Sequence, residues 1–178
     1  RFGRDNLQRA EAMARGELRV ADRHLRGIYL SSLRAALFNA VLARRVRDDT
    51  WDRALPGEAL NLDGSRSFFV ADHVDESIVA RLVQGDIHPT GPLWGKGEPP
   101  SHGAALALEQ FVTAECPAIW KQGCAAAGME QERRPLRLMA RRLIWQWHVD
   151  GVLSLEFSLP AGCYATALIR EIASCGDD

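Results

Sequence analysis

Near its C-terminal end the chain reads LPAGCYATALIRE, residues 159 to 171, and brings a thiol, a phenol and a guanidinium close together as Cys163, Tyr164 and Arg170. A thiol at a helix N-terminus has a lowered pKa and can act as a nucleophile. It would need a base. His148 stands one hairpin earlier in the sequence, but no partner signature surrounds the two. The other reading of Cys163 is a small residue beside a tight turn. Tyr164 and Arg170 stand about 120° apart on an ideal helix, so they share a face only if the turn aims Tyr164 outward. Otherwise Tyr164 packs in a core and Arg170 is solvated.

A second group of chemically capable residues is ERRPLRLMARR, which holds Arg133, Arg134, Arg137, Arg141 and Arg142. Such a run is either a strand edge blunted by charge or a set of phosphate contacts that would position RNA without reading its sequence. Other sites find less support. Cys116, Cys124, Cys163 and Cys175 show no CxxC spacing, and His24, His73, His88, His102 and His148 show neither HxH nor HxxxH, so no metal site is expected. His24 and His73 are the two histidines that stand near acids. The stretch GPLWGKG, residues 91 to 97, resembles a phosphate-binding loop only loosely: the spacing is wrong, and Gly97 follows Lys96 where Ser or Thr is required.

Hydrophobic periodicity supplies the elements that must position these groups. DNLQRAEAMARG, residues 5 to 16, reads as a short helix closed by Gly16. The clearest helix is 27 to 47, with Leu30, Leu33, Leu37 and Val41 on one stripe and Arg34, Arg44, Arg45 and Arg47 mostly off it. EALNLDGSRSFFVA places Asp63-Gly64 between two apolar runs, a hairpin signal. DESIVARLVQG reads as a helix ended by Gly85. HPTGPLWGKGEPP, residues 88 to 100, has four prolines and three glycines and is expected to be a loop held by Trp94. Helices follow at 102 to 116, with Ser101 as N-cap, and at 118 to 127. Strands are expected at LRLMA and LIWQWHV, with Leu143, Trp145, Trp147 and Val149 on one face. Asp150-Gly151 turns into a last strand, VLSLEFSL, and a helix over 163 to 174 closes the chain. The layout is α+β. The two C-terminal strands have a broad apolar face and would be marginal alone, so more sheet is expected from elsewhere.

Length and charge are consistent with this. The 178 residues suit one domain, or one and part of another. No apolar run is long enough to span a membrane, and four free thiols suit a reducing cytosol. Net charge is −1, but its distribution is uneven: residues 1 to 53 carry 12 arginines against seven acids, residues 54 to 132 are net −7, and residues 133 to 178 are net +1. Basic ends around an acidic middle permit a local anion-binding face. Arg1 stands where an initiator Met would, which raises the expectation of a longer parent protein.

FSLPAGCYATALIREI (157 to 172) resembles the C-terminal signature of the TruD-type tRNA pseudouridine synthases. RFG (1 to 3), DRHLRGIYLSSLRAALFNAVLARRV (22 to 46), PGEALNLDGSRSFFVA, HPTGPLWG and the helix with Glu109 follow the family's pattern in order. The resemblance implies isomerisation of a tRNA uridine to pseudouridine, without metal or organic cofactor, by an essential Asp. It implies that residues 1 to 140 are most of the family's inserted domain. Residues 141 to 178 would then be closing strands and a helix of the catalytic domain. By position, Arg170 would be the basic partner of that Asp, and Tyr164 the aromatic residue that packs on the target base. An Arg holds a carboxylate ionised and oriented, and an aromatic ring stacks on a flipped base.

The family's catalytic Asp lies in a Gly-Leu-Lys-Asp type motif that this sequence does not contain. The chain is therefore expected to be inactive alone, with tRNA and an N-terminal half of the same protein as its partners and the cytoplasm as its compartment. The competing readings are a non-catalytic RNA- or protein-binding α+β module and a Cys163-dependent hydrolase.

Overall fold

The computed structural model describes residues 2–160 and 163–173, an α+β chain that packs as two units, Arg1–Leu136 and Arg137–Asp178. In the first unit the order is α1 (Phe2–Ala14), α2 (Arg23–Arg47), β1 (Glu58–Leu62), β2 (Phe68–Ala71), α3 (Glu76–Gln84), β3 (Ile87–Leu93), α4 (Gly103–Ala114), α5 (Ala118–Ala126) and β4 (Glu132–Pro135). The second holds β5 (Arg141–Trp147), β6 (Leu153–Ser158) and α6 (Ala165–Ile172). Residue 174, the expected end of the last helix, and Cys175 lie outside the described residues.

Local chemistry sets the element ends. Asp22 caps α2 by accepting the Leu25 N–H at 3.0 Å, and Asp75 caps α3 by accepting that of Ile78 at 2.8 Å. Gly85 ends α3 in the left-handed region, as expected. Of the α2 stripe Leu33, Leu37 and Val41 are buried and Leu30 is half-buried; Leu33 packs, with Tyr29, against Ala10 of α1 and Cys124 of α5. A second core joins Leu60 and Ala71 of the β1–β2 hairpin, Leu82 of α3 and Ile87 of β3.

Several expectations about this unit are corrected. The proline- and glycine-rich stretch is not all loop: its first part, together with Ile87, is β3, an inner strand of an antiparallel sheet ordered β2-β1-β3-β4. Prolines fit there because the strand changes neighbour halfway. Residues 87 to 89 pair with β1, and 90 to 93 pair with β4. Pro89 and Pro92 therefore never face two full ladders, the usual bar to proline in an inner strand. Gly91 is needed for space, since a Cβ there would lie 2.9 Å from the Phe38 ring. Ser101 does not cap α4. His102 is the N-cap residue, without a side-chain cap bond, and the Ser101 hydroxyl donates to Glu109 instead. In the chain beyond β4, Leu136 to Ala140 form no strand.

Arg34 and Arg45 were expected largely off the buried stripe, and both are buried. Arg34 donates to the carbonyls of Leu93 and Glu130 and pairs with Glu132 at 3.1 Å. Arg45 is 2% exposed and faces Glu58, which is fully buried, at 3.2 Å. It also donates to the carbonyls of Thr50 and Arg53, while Glu58 accepts the N–H groups of Leu55 and Thr90. Burial pushes the Glu58 carboxyl up, and Arg45 with the Leu55 N–H pulls against it. A periodicity argument treats arginine as polar and misses a charge whose partners lie on distant elements.

In the second unit β5 and β6 form an antiparallel hairpin about Asp150-Gly151. Trp145 pairs with Leu155 and Trp147 with Leu153, so these four share one face. Val149 leaves that face because it lies in the turn. A register shift falls between Arg141 and Ile144, where Arg142 has a positive φ of 54°, a bulge early in the strand.

Removing one partner of the buried pair should be costly, because the other charge stays buried. Arg45→Met is expected to lower the urea unfolding free energy by about 3–5 kcal/mol, and Arg45→Met with Glu58→Leu by clearly less than the two single losses added. Additive losses would remove the pair from its stabilising role. Cys124 offers a pH test. Burial pushes its thiol up to about 11 from 9.0, so its contribution is complete below pH 9 and is lost as pH rises through 11. Iodoacetamide at about pH 8 should leave Cys124 unlabelled in the folded chain and label it in urea.

Candidate functional site

The C-terminal turn is built by the end of β6 and the start of α6. The Cys163 N–H donates to the Pro160 carbonyl at 3.2 Å, a turn bond rather than a helical one. Tyr164 is the N-cap residue, in extended conformation, and α6 begins only at Ala165. Cys163 thus stands before the cap residue, two positions ahead of the first residue of the helix. No described side chain hydrogen-bonds its thiol, and His148 Nε2 lies 2.8 Å from Ser154 Oγ within the hairpin. The thiol–base arrangement needed for a cysteine nucleophile is not assembled among the described residues.

Tyr164 and Arg170 are both open to solvent. Tyr164 is 73% exposed, so its ring is not in a core. Its extended backbone sets it at the mouth of the turn, before the helix rotation begins. Arg170 lies in the last turn of α6, exposed and without an ion pair among the described residues, while Leu168 and Ile169 on the same helix are half-buried. The two groups are separated by about 9 Å along the axis at helical rise. One short module thus presents an aromatic face and a guanidinium together, and no described carboxylate, the neighbouring Glu171 included, pairs with Arg170.

The five arginines of ERRPLRLMARR are divided. Arg133 and Arg134 belong to β4 in the first unit, and Arg137, Arg141 and Arg142 to the second. Arg133 is corrected as a phosphate contact. Its side chain is 2% exposed, and it makes a fork onto Glu109 of α4 at 2.6 and 3.0 Å. It also donates to the hydroxyl and carbonyl of Thr90 on β3. Arg134, on the opposite side of the strand, lies 5.5 Å from the Phe38 ring centre and is half-buried. Arg141 and Arg142 are exposed, and the bulge sets the direction of Arg142.

The expectations on metals and loops also resolve into pairs. His88 and His102 hydrogen-bond to acids: His88 Nε2 lies 2.9 Å from Asp63 and His102 Nε2 2.7 Å from Asp72; His24, as expected, lies beside an acid, Asp22. No group of three or more metal-ligating side chains gathers among the described residues. Lys96 pairs with Glu130 at 3.0 Å, and Lys121 stacks 4.2 Å from the Trp94 ring centre, so protein groups engage the GPLWGKG segment. What the sequence reading of Glu109 missed is its burial against Arg133. The available signal was a lone carboxylate inside GAALALEQFVTA, an otherwise apolar helix that can bury it only beside a cation.

The chain matches the family model for tRNA pseudouridine synthase D (TruD) over residues 4–172. It is 48% identical to tRNA pseudouridine synthase D of Nitrosococcus oceani over 176 residues, 97% of this chain and 49% of that protein. The corresponding protein of Hydrogenovibrio crunogenus is 41% identical over 97% of this chain and 50% of its own length. That of Xanthomonas axonopodis pv. citri is 44% identical over 99% and 52%. The chain therefore spans about half the length of the curated relatives it matches. A Methanosarcina mazei crystal structure, described as a candidate tRNA pseudouridine synthase D (TruD), superposes with a TM-score of 0.64 at 22% identity over 88% of this chain and 40% of that one, a likeness of fold.

Two substitutions separate the structural arginine from the exposed one. Arg133→Ala strands Glu109 and should cost about 3–5 kcal/mol in urea unfolding. Arg142→Ala should change stability by no more than about 0.5 kcal/mol. Equal effects in the two variants would contradict the assignment of Arg133 to the core.

Proposed function

Since the chain belongs to the tRNA pseudouridine synthase D family, we propose that it is the C-terminal half of an enzyme that isomerises a uridine of tRNA to pseudouridine. The carrying observation is the family match across residues 4–172, which reaches the module where Tyr164 and Arg170 stand exposed at the two ends of α6. In this reading residues 1 to about 140 are most of the inserted domain, and residues 141 to 178 complete the sheet of the catalytic domain. The half-uncovered apolar face of Trp145, Trp147, Leu153 and Leu155 supports this: Trp145 and Trp147 are 64% and 61% exposed in a chain about half its relatives' length. The N-terminal half of the same protein is the occupant.

Arg170 then meets the catalytic carboxylate carried by that other half. A bidentate guanidinium keeps a carboxylate ionised and aimed, as a nucleophile or base needs. Tyr164 stacks on the extruded uracil, an interaction available to a planar side chain held at a turn. Arg134, Arg137, Arg141 and Arg142 contact phosphates, whereas Arg133 holds the inserted domain together. The enzyme works on tRNA in the cytoplasm. No described helix is long and apolar enough to cross a membrane, which is compatible with that placement.

The test is complementation. The 178-residue chain alone should form no pseudouridine in tRNA, and mixing it with an N-terminal half from a family member should restore formation. Arg170→Ala should lower the restored kcat by at least about a hundredfold, the scale for removing one preorganised electrostatic contact. Arg170→Lys should not recover it, because an ammonium lacks the planar fork. Full activity in Arg170→Ala would end the role given to Arg170. Activity of the chain alone would overturn the half-site reading.

A further inference from the structure

Helix α2 contains six arginines and no aspartate or glutamate. Between Glu17 and Asp48 the single acid is Asp22, and its carboxylate is occupied by the Leu25 N–H. The six arginines have different fates. Arg34 and Arg45 are buried against Glu132 and Glu58, and Arg44 is held by Asp48 at 2.6 Å and by the Phe111 ring. Arg23 and Arg26 at one end and Arg47 at the other are exposed and pair with no described residue, as is true of Arg19 just before the helix. No described hydrogen bond or ion pair ties their side chains to the fold. Arg23 and Arg26 repel each other at three-residue spacing and lie at the helix end where cations are unfavourable. Charges so placed are relieved by an anion from outside.

The surface between them narrows the kind of anion. From Arg23 to Arg47 the helix is about 36 Å long. Between Arg26 and Val46 its exposed residues are Gly27, Ser31, Asn39 and Ala43, which are small and uncharged. Its two aromatics, Tyr29 and Phe38, are both buried. A protein partner would be held by apolar or aromatic anchors at the centre of the interface; here the exposed apolar side chains, Leu25 and Val46 of α2 and Phe111 beside Arg44, stand only toward the helix ends. A sugar–phosphate backbone needs close approach along a smooth face and guanidinium forks to grip phosphate oxygens. We propose that the exposed face of α2, with Arg19, Arg23 and Arg26 at one end and Arg47 at the other, is a phosphate-contact surface for the RNA substrate. This rests on the tRNA reading above and adds to it a surface in the first unit.

The test reads RNA binding rather than catalysis. Anisotropy of a fluorescein-labelled tRNA transcript is titrated with the 178-residue chain between about 50 and 200 mM salt. The variant Arg19→Gln/Arg23→Gln/Arg26→Gln should make the slope of log K against log salt shallower by about two to three, close to one per arginine removed. Adding Arg47→Gln should lower it by about one more. Arg66→Gln, in the exposed β1–β2 turn, should leave it unchanged, and the melting curves of all variants should match that of the parent chain. No tRNA binding by the parent chain would overturn the proposal. So would an unchanged slope in the triple variant, an equal shift in Arg66→Gln, or competition by polyglutamate as strong as by unlabelled tRNA, which would assign the face to an acidic protein. A shifted slope without pseudouridine formation in the complemented enzyme would retain the surface and sink the catalytic reading. Restored catalysis with an unshifted slope would do the reverse.

Discussion

Arg45 and Glu58 meet where neither reaches water, and the rest of the first unit is arranged around that fact. A buried charge is tolerable only when its partner and its remaining hydrogen bonds are all in place. Here they come from several elements. Glu58 on β1 takes the N–H of Thr90 on β3, and Thr90 receives Arg133 from β4. Arg133 in turn forks onto Glu109 of α4, and Glu109 accepts from Ser101. One connected polar chain therefore runs from α2 through three strands to α4, and a shift of any member leaves another unsatisfied. Such a network favours one arrangement more strongly than its net energy suggests.

The same chain makes sense of β3. A strand with two prolines gives up two ladder N–H groups, and its Thr90 N–H finds a carboxylate rather than a carbonyl. The strand holds its place because its two halves lean on different neighbours and because Gly91 lets the Phe38 ring come close. Prolines, glycine and buried carboxylate together form a compact junction beneath α2.

Arginine does two kinds of work in this chain, and accessibility separates them. Arg34, Arg45 and Arg133 are internal cross-links to carbonyls, carboxylates and the Thr90 hydroxyl, with the buried Arg34 Nε left without a partner. Arg142 and Arg170 in the second unit, and the outward arginines of α2 in the first, keep their forks available. Local composition does not distinguish the classes, since Arg44, Arg45 and Arg47 stand within four residues and meet an aspartate, a buried glutamate and solvent respectively.

The sequence by itself determined the elements whose causes are local. Periodicity marked α2 and its buried stripe. Asp75 and Gly85 marked the ends of α3, and Asp63-Gly64 and Asp150-Gly151 marked the hairpins, because caps and turns depend on a few adjacent residues. The order of motifs marked the family, and Tyr164 and Arg170 were singled out before any coordinates. Only the tertiary structure decided what depends on partners far along the chain. It made IHPTGPL a strand, drew Arg133 inward to Glu109, withdrew Ser101 from its cap and set Cys163 outside the helix. In each case a buried polar group or a strand neighbour more than local sequence away settled the outcome, and a propensity reads only what lies within a few residues of it.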